Sequence, residues 1–208
     1  MRIQPIVEGK GEVQAVPVLL RRLIVAANAY PLDVNPPIRR PRTDFDREDG
    51  VRNWVRVARL RPGCAAILVM FDSDDDCPRD IAPRVQAWGQ AEAAPIPCYV
   101  VMPTREFEAW FLAAVESLRG VRGIVAGATA HPNPESRRGA AEELERRMPP
   151  NQSYSKTADQ PALTARFDMA TAYQRCRSFR RMVNVFSLIA AGVGITLEQW
   201  PPTDWMTP

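Results

Sequence analysis

Seven consecutive apolar residues, Ala65-Ala66-Ile67-Leu68-Val69-Met70-Phe71, run straight into Asp72-Ser73-Asp74-Asp75-Asp76. A strand that is apolar at every position has to be covered on both faces, the condition of an interior strand in a parallel sheet flanked by helices. The surrounding chain supplies the other parts. Residues 1–7 read as a first strand, in which Pro5 removes a ladder donor and suggests an edge or a bulge. Val13, Val16, Leu19, Leu20, Leu23, Ile24 and Ala27 then recur at helical spacing, with Pro17 near the start. Leu32–Ile38 is a weaker, proline-broken strand, and Val51, Trp54, Val55 and Ala58 mark a second helix. A helix over Pro78–Glu92, a strand over Ile96–Met102 and a helix capped by Thr104 and running to Leu118 follow. Strand alternating with helix predicts an α/β layer around a mostly parallel sheet.

From about Gly120 the pattern changes to helices only, over Glu135–Met148, Pro161–Arg166 and Met169–Ala190, ending in an irregular Trp200–Trp205. The expected organisation is therefore an α/β half, 1–118, and a helical extension, 119–208, packed on it. The composition bounds the chemistry. No apolar run approaches the roughly 18–20 residues of a membrane span, and the N-terminus lacks the pattern of a signal peptide, so a cytoplasmic protein is expected. The four cysteines form no C-x-x-C pair, and the one histidine, His131, excludes a multi-histidine metal site. Net charge is only +3, carried by 25 arginines and two lysines, Lys10 and Lys156. Where arginine fills nearly every cationic position, the two compact ammonium groups draw attention.

The functional argument rests on acids at strand ends. Glu8-Gly9-Lys10-Gly11-Glu12 makes the turn from the first strand into the first helix, and Asp72-Ser73-Asp74 ends the apolar strand. In open α/β sheets ligands bind outside the carboxyl ends of the strands. Residues i and i+2 of an extended chain point the same way, so Asp72 and Asp74 could present two carboxylates to one cation. Carboxylates clustered without a cation resist joint ionisation. A divalent ion relieves that, and carboxylate oxygen is what Mg²⁺ and Mn²⁺ prefer. Asp75 and Asp76 fit the simpler role of turn or helix-start charges.

A glutamate after the first strand paired with a later D-x-D resembles the Toprim domain, the catalytic module of topoisomerases, primases and OLD-family nucleases. Ile6-Val7-Glu8-Gly9-x-x-Glu12 ahead of an apolar helix looks most like the OLD type, which implies a metal role for Glu12 as well. Three further stretches, Val16–Leu23, Arg105–Phe111 and Arg177-Ser178-Phe179, resemble the bacterial family called domain of unknown function 4276. That family is regarded as Toprim-like and tends to accompany ATPases in phage-defence gene clusters. The resemblance implies a Toprim-like, Rossmann-like sheet and metal-dependent cleavage of DNA or RNA, with an ABC- or AAA-type ATPase as partner. Asp72 and Asp74 would hold one Mg²⁺ or Mn²⁺, while Glu8 and Glu12 would hold or help hold a second, so that the pair clamps the attacking and leaving oxygens.

Glu106 joins the metal set on this resemblance, with Glu108 the next candidate, although acids in a first helical turn also serve the helix dipole. Lys156 is the candidate cation at the scissile phosphate. The pairs Arg39-Arg40, Arg137-Arg138, Arg146-Arg147 and Arg180-Arg181 could track a phosphate backbone only if several share one face. Two other readings remain: a non-catalytic Toprim-like subunit that binds a cation or the ATPase, and a D-x-D glycosyltransferase, which would leave Glu8 and Glu12 idle.

Overall fold

The computed structural model describes residues 1–136 and 138–206. Its centre is a five-stranded sheet in which every pairing is parallel. Strand β1 (Arg2–Val7) lies beside β4 (Cys64–Met70), which in turn pairs with β5 (Cys98–Val101). On the other side of β1 sit two short strands, β2 (Asp33–Val34) and β3 (Ile38–Arg39). The sequence expectation of an α/β fold with a mostly parallel sheet is met. The interior place of Ala65–Phe71 follows from its burial pattern, because alternate side chains go to opposite cores. Ala66, Leu68 and Met70 enter one cluster, and Ile67, Val69 and Phe71 the other.

Pro5 does not mark an edge. It sits mid-strand, opposite Leu68 of β4. The carbonyls of Met1, Ile3 and Val7 accept N–H groups from Asp33, Asn35 and Arg40, so the odd residues of β1 face β2 and β3. Pro5 falls in the gap between those two strands, where no ladder partner asks for its missing donor. The Gln4 side-chain amide fills that gap, donating to the carbonyls of Pro5 and Pro36 at 2.9 and 3.0 Å. The proline-broken second strand of the sequence is thus two strands with a side-chain bridge between them.

Helix α1 (Glu12–Ala26) covers one sheet face, and α2 (Arg42–Phe45), α3 (Glu48–Arg59) and α4 (Pro78–Ala93) cover the other. After β5 the chain forms α5 (Ala109–Ala113) and a 3₁₀ turn, Val115–Leu118. The extension contributes α6 (Ala140–Glu145), α7 (Asp159–Thr164), α8 (Met169–Arg175), α9 (Arg177–Gly192) and α10 (Thr203–Met206). Its Leu144, Leu163, Phe167, Phe179 and Phe186 share one core with α1 and the sheet. Phe107, Trp110, Phe111, Phe167 and Phe179 form a chain of ring contacts with centroids 4.7–5.6 Å apart, and Trp110 Nε1 donates to Ser178 Oγ at 2.8 Å. The stretches Arg105–Phe111 and Arg177–Phe179 therefore meet as core.

Several helices are shorter than periodicity predicts, and each has a cause. The helix expected from Thr104 begins only at Ala109, because Arg105 takes a left-handed backbone (φ 65°) and the D-x-D loop claims nearby amides. Arg105 N–H donates to Ser73 Oγ, and Phe107 N–H donates to Asp72 Oδ1. The expected Met169–Ala190 helix breaks at Cys176, which is extended. The Glu135 carboxylate caps the new start, accepting the N–H groups of Arg177 and Ser178 at 2.7 Å each. The charged helix expected over Glu135–Met148 shrinks to α6, which starts after Gly139 takes a left-handed backbone (φ 72°). Among the described residues no helix is long and apolar enough to cross a membrane.

Candidate active site

Three carboxylates stand past the C-terminal ends of neighbouring strands: Glu8 after β1, Asp72 after β4 and Glu108 after β5. Glu12 joins them from the first turn of α1. Its Oε2 accepts the N–H groups of Glu8 and Gly9 at 3.0 and 2.9 Å, closing the turn that α1 leaves without a cap. Both Glu12 and Glu108 are buried. The Glu108 carboxylate accepts the Tyr154 hydroxyl at 3.0 Å and the Gln160 amide at 3.2 Å on Oε1. Its Oε2 is buried with no hydrogen-bond partner, and so is Oε2 of Glu8.

Lys156 completes the group from the extension, with Nζ 3.8 Å from Glu108 Oε2. Its loop is built to approach. Asp159 anchors it, accepting Ser155 N–H at 2.8 Å and Arg122 Nε at 2.6 Å. Gly11 lets it come close: a Cβ there would stand 2.3 Å from the Lys156 carbonyl oxygen and from Gln160 Oε1. Gly11→Ala is expected to cost about 1–3 kcal/mol of stability in urea unfolding, because the backbone of the Lys156 loop must move. Gly127→Ala, where a Cβ would meet no atom within 4 Å, should change little.

The electrostatics match this crowding. Burial raises the Glu12 carboxyl to about 7, and the charges of Glu8 and Glu108 add to it against the two amide hydrogen bonds. Asp72 is pushed well above the usual carboxylate range, first by burial and then by Glu12 and Glu108, with Lys156 and the Phe107 amide opposing. Glu108 is raised by burial despite Lys156 and Tyr154. Burial also raises Glu8, with Arg42 the strongest opposing charge and Asp74 acting with burial. Lys156 is lowered by burial, yet the charges of Glu108, Asp72, Glu106 and Glu12 carry it above its ordinary value. Carboxylates that hold protons this strongly are short of positive charge.

The site differs from the sequence expectation in three places. Asp74 is not extended but left-handed (φ 47°), so Asp72 and Asp74 do not share a direction. Asp74 is exposed and lies 3.6 Å from Arg42 Nη1. Glu106, placed in the metal set, spends its carboxylate on the N–H groups of Gly139, Ala140 and Ala141 at 2.9–3.2 Å, capping the start of α6. Glu108, ranked behind it, is the residue in the cluster. Both acids lie near the start of a short helix, and the sequence holds no signal to say which turns inward. The third difference is Arg42, absent from the expected site, which lies against Asp46, Asp74 and Asp76. Beside the cluster, a cleft of about 280 Å³ is lined by Asp74, Asp75, Arg105, Glu106 and Arg138.

Six arginines of these pairs have partners within the protein. Arg39 Nε donates to the Glu8 carbonyl, Arg40 stacks on Trp54 and pairs with Asp44, and Arg146 and Arg147 pair with Glu143. Arg180 bonds the carbonyls of Tyr173 and Gln174, and Arg138 pairs with Asp75. Arg137 lies outside the described residues.

The model of a protein family described as a domain of unknown function (DUF4276) matches residues 7–186. The chain belongs to that family. The DUF4276 match takes in Glu8, Glu12, Asp72, Glu108 and Lys156, so the whole cluster lies within the family domain. It also runs across both halves of the chain, as the shared core does. Neither the curated proteins nor the solved structures compared with the chain gave a match.

Among the described residues no group of three or more histidine, cysteine, aspartate or glutamate side chains is set to hold a metal ion as the side chains lie. The donor chemistry nonetheless fits a hard divalent cation. Two buried carboxylate oxygens lack hydrogen-bond partners, and four acids are held toward their protonated forms. Side-chain rotation would have to bring the carboxylates of Glu12, Asp72 and Glu108 together on an ion.

Proposed function

We propose that this DUF4276 protein hydrolyses phosphodiesters of DNA or RNA with Mg²⁺ or Mn²⁺. The observation that carries the reading is the cluster of buried Glu12 and Glu108 with half-buried Asp72, with its orphaned oxygen on Glu108, beside Lys156 at the carboxyl edge of the sheet. Asp72 and Glu108, with Glu12 behind them, would hold the ion, which supplies Lewis-acid stabilisation of charge on a phosphoryl oxygen. Glu8, half-buried with a raised pKa, would take the proton of the attacking water. Lys156 keeps its ammonium at neutral pH and offsets charge developing on the phosphate. An ATPase partner of the ABC or AAA type, and a place in defence against phage, belong to the same proposal through the resemblance to DUF4276 proteins.

The test is cleavage of plasmid and single-stranded substrates in Mn²⁺, with and without an ATPase of the ABC or AAA type. The wild type should cleave and Asp72→Asn should not. Lys156→Ala should lower kcat more than it raises KM, since the ammonium acts on charge that forms in the transition state. Lys156→Arg should restore little, because a planar fork does not replace a compact ammonium. Silence under every condition, with the ion still bound, would hand the site to a non-catalytic subunit.

A further inference from the structure

The acids at the sheet edge divide into two groups, each with its own cation. Glu12, Asp72 and Glu108 surround the approach of Lys156. Asp46, Asp74 and Asp76 surround Arg42, which begins α2. Every nitrogen of the Arg42 guanidinium is occupied. Nε lies 3.3 Å from Asp46 Oδ1, Nη1 donates to the Asp72 carbonyl at 2.6 Å and lies 3.6 Å from Asp74 Oδ2, and Nη2 pairs with Asp76 Oδ2. The group also lies over the Phe71 ring, 5.0 Å from its centroid. The placement is rigid, because Phe45 of the same short helix stacks on Phe71 with centroids 4.7 Å apart.

We propose that Arg42 is a built-in cation standing where a second divalent ion would bind, so that the site takes a single Mg²⁺ or Mn²⁺ and Asp74 is a partner of Arg42, not a metal ligand. This rests on the metal-dependent reading of the deeper cluster. A two-ion centre needs carboxylates free on both sides, and here the outer ones are turned to the Arg42 guanidinium. The left-handed backbone at Asp74 aims that carboxylate outward, and Asp74 N–H is tied to the Arg105 carbonyl at 3.0 Å. Glu8 feels Arg42 more strongly than any other charge, as expected if Arg42 serves the outer half of the site as its cation.

The experiment counts Mn²⁺ bound per chain, by electron paramagnetic resonance and calorimetry, in the wild type, Asp74→Asn, Asp72→Asn and Arg42→Gln. One ion is expected in the wild type, and one in Asp74→Asn with Kd changed by less than about threefold, which is under 1 kcal/mol. Asp72→Asn should lose binding. Arg42→Gln should gain a second ion, which Arg42→Gln/Asp74→Asn loses again. Should Arg42→Gln fail to fold, Asp74→Asn decides alone. Two ions in the wild type, or loss of binding in Asp74→Asn, overturn this assignment and leave the metal-dependent reading standing. No ion in the wild type overturns both.

Discussion

Replacing Glu12 by glutamine is expected to stabilise the metal-free protein at pH 8. The acid is raised from 4.5 to about 7 in the folded chain. Between those values the folded state binds more protons than the unfolded one, so stability falls as pH rises through that window. Below about 4.5 both states are protonated and there is no penalty; above about 7 the penalty is complete. A shift of this size corresponds to about 3 kcal/mol. Glutamine keeps an oxygen for the amides of Glu8 and Gly9 and removes the charge that Asp72 and Glu108 resist. Urea unfolding across pH 4–9 should show the wild type losing stability between about 4.5 and 7 and Glu12→Gln with a much flatter profile. A destabilised Glu12→Gln, or a wild type that gains stability over that range, would mean the cluster is not short of positive charge.

Glu8→Gln is expected to lower kcat by about a hundred- to ten-thousandfold, the range of a positioned proton acceptor. The substitution keeps volume and leaves Arg39 Nε its bond, since that bond is to the Glu8 carbonyl and not to the side chain. Binding of Mn²⁺ should persist because Asp72 and Glu108 are untouched. Single-turnover cleavage by Glu8→Gln, beside calorimetry on the same sample, separates the two effects. Undiminished cleavage would place the proton acceptor elsewhere.

Much of this architecture was legible because burial leaves a mark on composition. A strand covered on both faces must be apolar throughout, and Ala65–Phe71 is. Glu8, Glu12 and Asp72 were legible because strand ends are where a parallel sheet presents its ligands. What stayed hidden depended on contacts between distant residues. Pro5 in β1 makes sense only when Gln4 and Pro36 are seen beside it. The outward turn of Asp74 follows from its bond to Arg105, 31 positions away, and the choice of Glu108 over Glu106 follows from α6 offering three amides to one of them. Arg42 gave no signal at all, since one arginine among 25 looks like any other until its three acidic partners are placed.

If Glu12, Asp72 and Glu108 form a divalent-cation site, the melting temperature at pH 8 must rise with metal. At free Mn²⁺ of 100 times Kd the wild type should gain about 2.7 kcal/mol. For a chain of this length that is a rise of about 5–10 °C. The Asp72→Asn/Glu108→Gln double variant should show a flat response. No rise in the wild type at millimolar Mn²⁺ and Mg²⁺, or an equal rise in the double variant, would contradict the account.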